Sequence, residues 1–275
     1  MTKLESYYNK FHEEHRLSTR HGIVEFNTTL AYVLEQAGIL AEKSNHSGKT
    51  NHKGKNNSSI KIADIGAGTG RYSVELCHRG FDVTAVELVK HNLEILRKKH
   101  ENIKTWQGDA RNLSFLDDES FDITLILGPL YHLHSFSDKV SALNEAKRIT
   151  KKGGIIFAGY VMNEYSVITY CFKEHKLAEV LEKGGISKNF HIITTEDDLY
   201  DYVRIEDINA LNKECRLERL KIISADGAAD FMRRELNEMS EEEFKAFLEF
   251  QKAVCERSEL VGAGSHTVDI LKKSV

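Results

Sequence analysis

Residues 60–70 read Ile-Lys-Ile-Ala-Asp-Ile-Gly-Ala-Gly-Thr-Gly. The mostly apolar run Ile60 to Ile65 predicts a strand. Glycines follow at Gly66, Gly68 and Gly70, and a helical pattern opens near Tyr72. Strand, glycine turn and helix in that order make a nucleotide-type ligand site. Glycine lets the backbone approach a ligand closely, and the helix amino end points free N–H groups at an anion. The spacing departs from the dinucleotide fingerprint G-x-G-x-x-G, because Arg71 stands where the third glycine would fall. Asp64, just ahead of Gly66, would repel a pyrophosphate and attract a ligand carrying positive charge. A second run, Asp82-Val83-Thr84-Ala85-Val86, ends in Glu87. This lies about 20 residues past the glycines, where an acidic side chain takes ribose hydroxyls.

Outward from this stretch the alternation continues. Strands are expected near 60–65, 82–86, 103–106, 121–127 and 154–158, with helices near 71–79, 89–100 and 138–150. That order predicts an α/β fold with a parallel sheet covered on both faces. Residues 163–200 break the rhythm with aromatics, Gly184-Gly185 and an acidic run at 196–198. A helix over 205–214 and a strand over 220–224 resume it. Ser240-Glu241-Glu242-Glu243 is a capping box, with Met239 and Phe244 at staple positions. His266 to Leu271 reads as the last strand. Upstream, Ile23, Val24, Phe26, Leu30, Val33, Leu34 and Ala37 recur at helical spacing and predict a helix ending near Gly38. Residues 43–59 have no large apolar side chain and read as a flexible polar loop. His12-Glu13-Glu14-His15 lacks the four-residue histidine spacing of a zincin helix, and no metal site is expected.

In this order the elements resemble the class I S-adenosylmethionine-dependent methyltransferases of small-molecule type. Asp64 to Gly70 is similar to their first motif, Glu87 to the acidic end of their second strand, and Gly108-Asp109-Ala110 to their third-strand motif. Phe121 to Leu127 resembles their fourth strand, and Leu143 to Ala158 their helix, Gly-Gly turn and fifth strand. The resemblance implies a Rossmann-like, doubly wound, mostly parallel seven-stranded sheet with its last strand antiparallel. It further implies an amino-terminal helical lid over 1–42, a methyltransferase domain over 60–275 and a cap insertion over about 160–215. The implied cofactor is S-adenosylmethionine, contacted by Asp64, Gly66, Ala67, Gly68, Gly70, Glu87, Leu88, Asp109, Ala110 and Leu127, with Tyr8 and Arg20 reaching it from the lid.

The loop Gly128-Pro129-Leu130-Tyr131-His132-Leu133-His134 holds the single proline of the chain. Proline just past a strand ends the ladder and stiffens the turn. In the resembled class this loop lies beside the methyl group, which makes Tyr131 and His132 the candidate catalytic residues, His132 as a general base. His134 is expected at the surface. Enzymes of this class that methylate base amino groups carry Asp/Asn/Ser-Pro-Pro-aromatic here; Gly-Pro-Leu-Tyr departs from that pattern.

Composition narrows the partners. The net charge of −4 gives no broad basic field and argues against a nucleic-acid partner. The four cysteines, at 77, 171, 215 and 255, follow neither a zinc nor a disulfide pattern. No stretch approaches the roughly 20 apolar residues that span a bilayer, so no membrane association and a cytoplasmic location are expected. The expected acceptor is a small molecule and the expected assembly a monomer or homodimer. RNA or protein methylation, and a non-catalytic cofactor-binding regulator, stand as alternatives.

Overall fold

In the computed structural model, which describes residues 7–8, 17–47, 59–99 and 101–274, the strands are β1 (Lys61–Ile65), β2 (Asp82–Glu87), β3 (Lys104–Gln107), β4 (Phe121–Ile126), β5 (Thr150–Val161), β6 (Glu218–Ser224) and β7 (His266–Lys272). They form one sheet in the order β3-β2-β1-β4-β5-β7-β6. The pairs from β3 to β5 are parallel, and β7 runs antiparallel between β5 and β6. The chain steps from β1 outward to β2 and β3, then returns to place β4 on the other side of β1. Strand order reverses there, which opens a crevice at the carboxyl ends of β1 and β4.

The main helices are α1 (Arg20–Ser47), α2 (Arg71–His78), α3 (Lys90–Lys98) and α4 (Phe136–Ile149). Then come α5 (Asn163–Ser166), running into a π-helical segment (Val167–Lys173), α6 (Leu177–Glu182), α7 (Ile205–Cys215), α8 (Arg233–Glu238) and α9 (Glu241–Val254). Alternate strand residues face opposite layers. Ile62, Ile123 and Phe157 meet Phe26, Leu30, Val33 and Ala37 of α1 and Leu76 of α2. Ile65, Ile126 and Ile156 meet Ala142 and Leu143 of α4 and Ile208 and Leu211 of α7. Central strands buried on both faces read as near-continuous apolar runs, which is why β1, β2 and β4 were plain in the sequence.

Three boundaries differ from the sequence expectation. Helix α1 continues through Gly38 to Ser47. An interior glycine costs about 1 kcal/mol relative to alanine, and Leu40 and Ala41 offset it by packing on the core. Residues 43–47 of the expected polar loop are therefore helical, while 48–58 lie outside the described residues, as does the His12 to His15 stretch. Strand β5 begins at Thr150, directly after α4. Its register against β4 jumps between Phe121↔Thr150 and Ile123↔Ile155, so Gly153-Gly154 forms an irregularity inside the strand. Finally, α7 falls within the expected cap boundary but packs on α4 and the sheet. The segment outside the regular α/β layers is 162–204.

Candidate functional site

A cavity of about 390 Å³ opens at the crevice where strand order reverses. Its walls are the loops after β1, β2, β3 and β4, joined by Tyr8, Leu17 and the stretch Glu196, Asp198 and Leu199. The fold brings to it Asp64, Gly66, Ala67, Gly68, Glu87, Leu88, Asp109, Ala110, Leu127, Tyr131, His132 and Tyr8. Two candidates stand elsewhere. Gly70 is the residue preceding α2, with φ 88°. A Cβ there would lie 2.3 Å from Leu96 Cδ1, so its place is a packing and turn position. Arg20 donates to the carbonyls of Leu236 (2.8 Å) and Met239 (2.6 Å) and to the Glu241 carboxylate (2.6 Å). It fastens α1 to α8 and α9. The burial of Phe26, Leu30 and Val33 on the sheet sets the rotation of α1, and that rotation turns Arg20 away from the cavity.

The acidic residues differ in environment. Glu87 is buried at the end of β2; Oε2 accepts the Gly68 N–H (2.8 Å) and Oε1 the Val89 N–H (2.8 Å). These bonds hold the carboxylate still against the glycine turn. Asp64 is 3% exposed and accepts the Ser73 hydroxyl at 2.5 Å. No cation pairs with it among the described residues, and burial pushes its carboxyl up to about 6 despite the Ser73 hydrogen bonds. Asp109 is the reverse case. Burial opposes its charge, but hydrogen bonds from Arg111 outweigh burial and hold the carboxyl below its usual range. Arg111 reaches Asp109 at 2.6 Å and Asp138 at 3.2 Å.

The glycine turn and the loop after β4 lock together. Gly66 has φ 75°, and a Cβ added to it would lie 2.6 Å from Pro129 Cδ and Cγ. Only glycine admits both that backbone and the proline ring. Pro129 opens a 3₁₀ turn, Pro129–His132, which delivers Tyr131 and His132 to the cavity. His132 Nδ1 lies 2.9 Å from the Leu199 carbonyl and Nε2 lies 3.0 Å from the Tyr8 hydroxyl. A carbonyl only accepts, so Nδ1 carries the proton and, in the neutral ring, Nε2 accepts from Tyr8. Tyr200 and Tyr131 flank the imidazole at centroid distances of 5.2 and 4.8 Å. His134, expected at the surface, is half-buried with Nδ1 3.3 Å from the Thr194 hydroxyl.

Several wall residues had no signal in the sequence. Arg71, noted only for breaking a fingerprint, lines the cavity with its guanidinium 4.1 Å from the centroid of Phe26. Leu17 and Leu199 come from segments far along the chain, and Arg111 directly follows the Gly108-Asp109-Ala110 motif. The acidic run and aromatics of 196–200 were visible as a break in rhythm, but nothing local said that they fold over the loop after β4. Lys139, 5% exposed along its side chain, holds them there through Asp201 at 2.6 Å and the Leu133 carbonyl.

Comparison with known proteins agrees with this geometry. Residues 63–158 match the family described as a methyltransferase domain. The chain is 33% identical over 126 residues to an uncharacterized methyltransferase of Mycobacterium bovis, covering 46% of each chain. It is 35% identical over 94 residues to a demethylmenaquinone methyltransferase of Paenarthrobacter aurescens, covering 34% of this chain and 36% of the relative. The matches thus span under half the length of these relatives. In fold it is similar to an S-adenosylmethionine-dependent methyltransferase of Thermotoga maritima, with a TM-score of 0.52 and 21% identity over 98% of both chains. The strand order, the glycine turn with its acidic partners and the family match agree: residues 63–158 match a methyltransferase domain, set in a fold of the class I, S-adenosylmethionine-dependent type.

Proposed function

We propose that this protein transfers a methyl group from S-adenosylmethionine to a small-molecule acceptor by in-line displacement. The observation that carries the reading is the pair of buried carboxylates at the head of the cavity. Asp64 lacks a cationic partner among the described residues, and Glu87 is clamped by two backbone amides. Buried charge needs compensation, and the ammonium of this cofactor supplies it at Asp64. A buried carboxylate at the end of β2, fixed by backbone amides, suits ribose hydroxyls. Arg71, at the amino end of α2, suits the cofactor carboxylate. Leu88 and Ala110 offer apolar contact to the adenine, beside Asp109. The donor set therefore fits the cofactor.

When bound, the cofactor supplies an activated methyl group on a sulfonium. The chain's own part is to hold the acceptor in line, which can supply much of the acceleration. Tyr8, Leu17 and the stretch 196–200 close over that side of the cavity, with Tyr131 and His132 beneath. A proton leaving the acceptor would pass to His132 Nε2 directly or through the Tyr8 hydroxyl. The aromatic walls favour a small acceptor over a polymer, and the demethylmenaquinone methyltransferase among the relatives is named for a small-molecule substrate.

Calorimetry with S-adenosylmethionine and with NADH tests cofactor choice; binding of NADH alone would overturn the reading. Incubation with methyl-labelled cofactor and fractionated cell extract tests the acceptor. Label in a low-mass product supports the proposal. Label in RNA or protein selects the polymer alternative, and binding without turnover selects a regulator.

A further inference from the structure

We infer that the cluster Asp226, Asp230 and His266, behind the acceptor side of the cavity, is a binding site for one first-row divalent metal ion. One ligand atom from each of the three lies within 4.8 Å of the other two. His266 Nδ1 is 2.8 Å from Asp226 Oδ2. Glu25 lies 3.7 Å from the same Nδ1, and His21 lies 3.9 Å from Asp230. Three segments far apart in the chain converge here: α1 through His21 and Glu25, the turn after β6 through Asp226 and Asp230, and the start of β7 through His266.

The chemistry selects a metal ion over an organic cation. Imidazole nitrogen with carboxylate oxygens is a donor set that first-row divalent ions take. Ligands at about 2.1 Å in a tetrahedron stand about 3.4 Å from each other, so the spacing fits a single ion after small side-chain rotations. Asp226 and Asp230 are 2% and 8% exposed. The side chain of Glu25 is 14% exposed. Arg233, 55% exposed, pairs with Asp230 from the solvent side at 3.1 Å. Buried carboxylates attract a cation more strongly than exposed ones, because little water screens them.

A second observation is independent of these charges. The Ser224 hydroxyl has no hydrogen-bond partner among the described residues, and Ser224 is 1% exposed. It stands beside Asp226: a Cβ added to Gly264 would lie 2.9 Å from Ser224 Oγ and 2.6 Å from Asp226 Oδ1. Buried hydroxyls are normally bonded, and a water on the metal ion would satisfy this one. The ion would bolt α1 to the carboxyl edge of the sheet. It would also brace His266, whose ring centroid is 6.3 Å from that of Tyr131.

The test is titration of the metal-free full-length protein with Co²⁺, read by its visible d–d absorption, with Zn²⁺ as competitor. One equivalent of Co²⁺ should bind, be displaced by Zn²⁺ and raise the thermal midpoint. Asp230→Asn and Glu25→Gln should each weaken Co²⁺ binding, Asp230→Asn by at least about tenfold, the loss typical even of groups behind the ligands. Both avoid Asp226, which also accepts the backbone N–H of His266. Circular dichroism on the same samples confirms folding. S-adenosylmethionine affinity, measured alongside, reports the cofactor site separately. A folded wild-type protein that binds neither ion, or variants that bind Co²⁺ as tightly as wild type, would overturn the inference.

Discussion

Asp64 is the residue whose surroundings make the sharpest demand. Its folded carboxyl is pushed up to about 6 by burial, above the roughly 3.9 of an unfolded aspartate. The folded state of the free protein thus holds the proton more tightly than the unfolded state. The stability contribution is fully present below about pH 4 and is lost as pH rises through about 6. A cationic ligand reverses the preference, because it pairs only with the ionised form. Cofactor binding near pH 6 should release a proton, and affinity should fall roughly tenfold between pH 7.5 and 5. Asp64→Asn should bind weakly at every pH in that window. An unchanged pH profile in calorimetry of the variant would remove Asp64 from the cofactor site. At Glu87, replacement by Ala should cost roughly 1.5–3 kcal/mol, or about one to two decades of affinity. Glu87→Gln, which keeps one acceptor oxygen, should lose less. His132 is separable from both. If Nε2 takes the acceptor proton, His132→Ala should lower kcat by roughly 10²–10⁴-fold with cofactor affinity nearly intact. A rise confined to KM would instead make it a positioning residue. Tyr8→Phe removes the hydroxyl that donates to Nε2 and distinguishes direct from relayed proton transfer.

At the scale of elements, α1 and the loop after β4 carry the testable points. Arg20 bridges α1 to two backbone carbonyls and to Glu241. Arg20→Ala should lower the thermal midpoint by roughly 2–4 °C and leave cofactor affinity unchanged. A clear loss of affinity with the midpoint intact would restore Arg20 to the cofactor site. Lys139 is the opposite kind of anchor, since it joins α4 to the stretch that covers the cavity. Its pair with Asp201 is largely withdrawn from water. Removing one partner strands the other, so Lys139→Met should cost about 3–5 kcal/mol. The Leu133 carbonyl would also lose its donor. Hydrogen exchange should quicken at 194–201 before it does in β4, because Lys139 ties that stretch down through Asp201 while β4 is held between β1 and β5 in the sheet.

At the scale of the whole molecule, the residue pattern in one dimension determined a great deal. Apolar runs marked the central strands, the 3.6-residue stripes marked α1 and α4, and Ser240-Glu241-Glu242-Glu243 marked the start of α9. The glycine turn, Asp64, Glu87 and Asp109 were legible because each stands at a set distance from a strand end, and strand ends are readable from local pattern. Local pattern also placed Pro129 just past β4, but not against Gly66. Tertiary structure alone decided which distant residues meet. Tyr8 and His132 are 124 positions apart and share a hydrogen bond. His21, Glu25, Asp226, Asp230 and His266 come from three separate segments. Arg71 rather than Arg20 lines the cavity because the rotation of a helix follows from which of its faces is buried against all its neighbours at once. Backbone periodicity is a property of a few consecutive residues, so a sequence displays it directly. Through-space proximity depends on the packing of every layer together, and only the folded chain computes that sum.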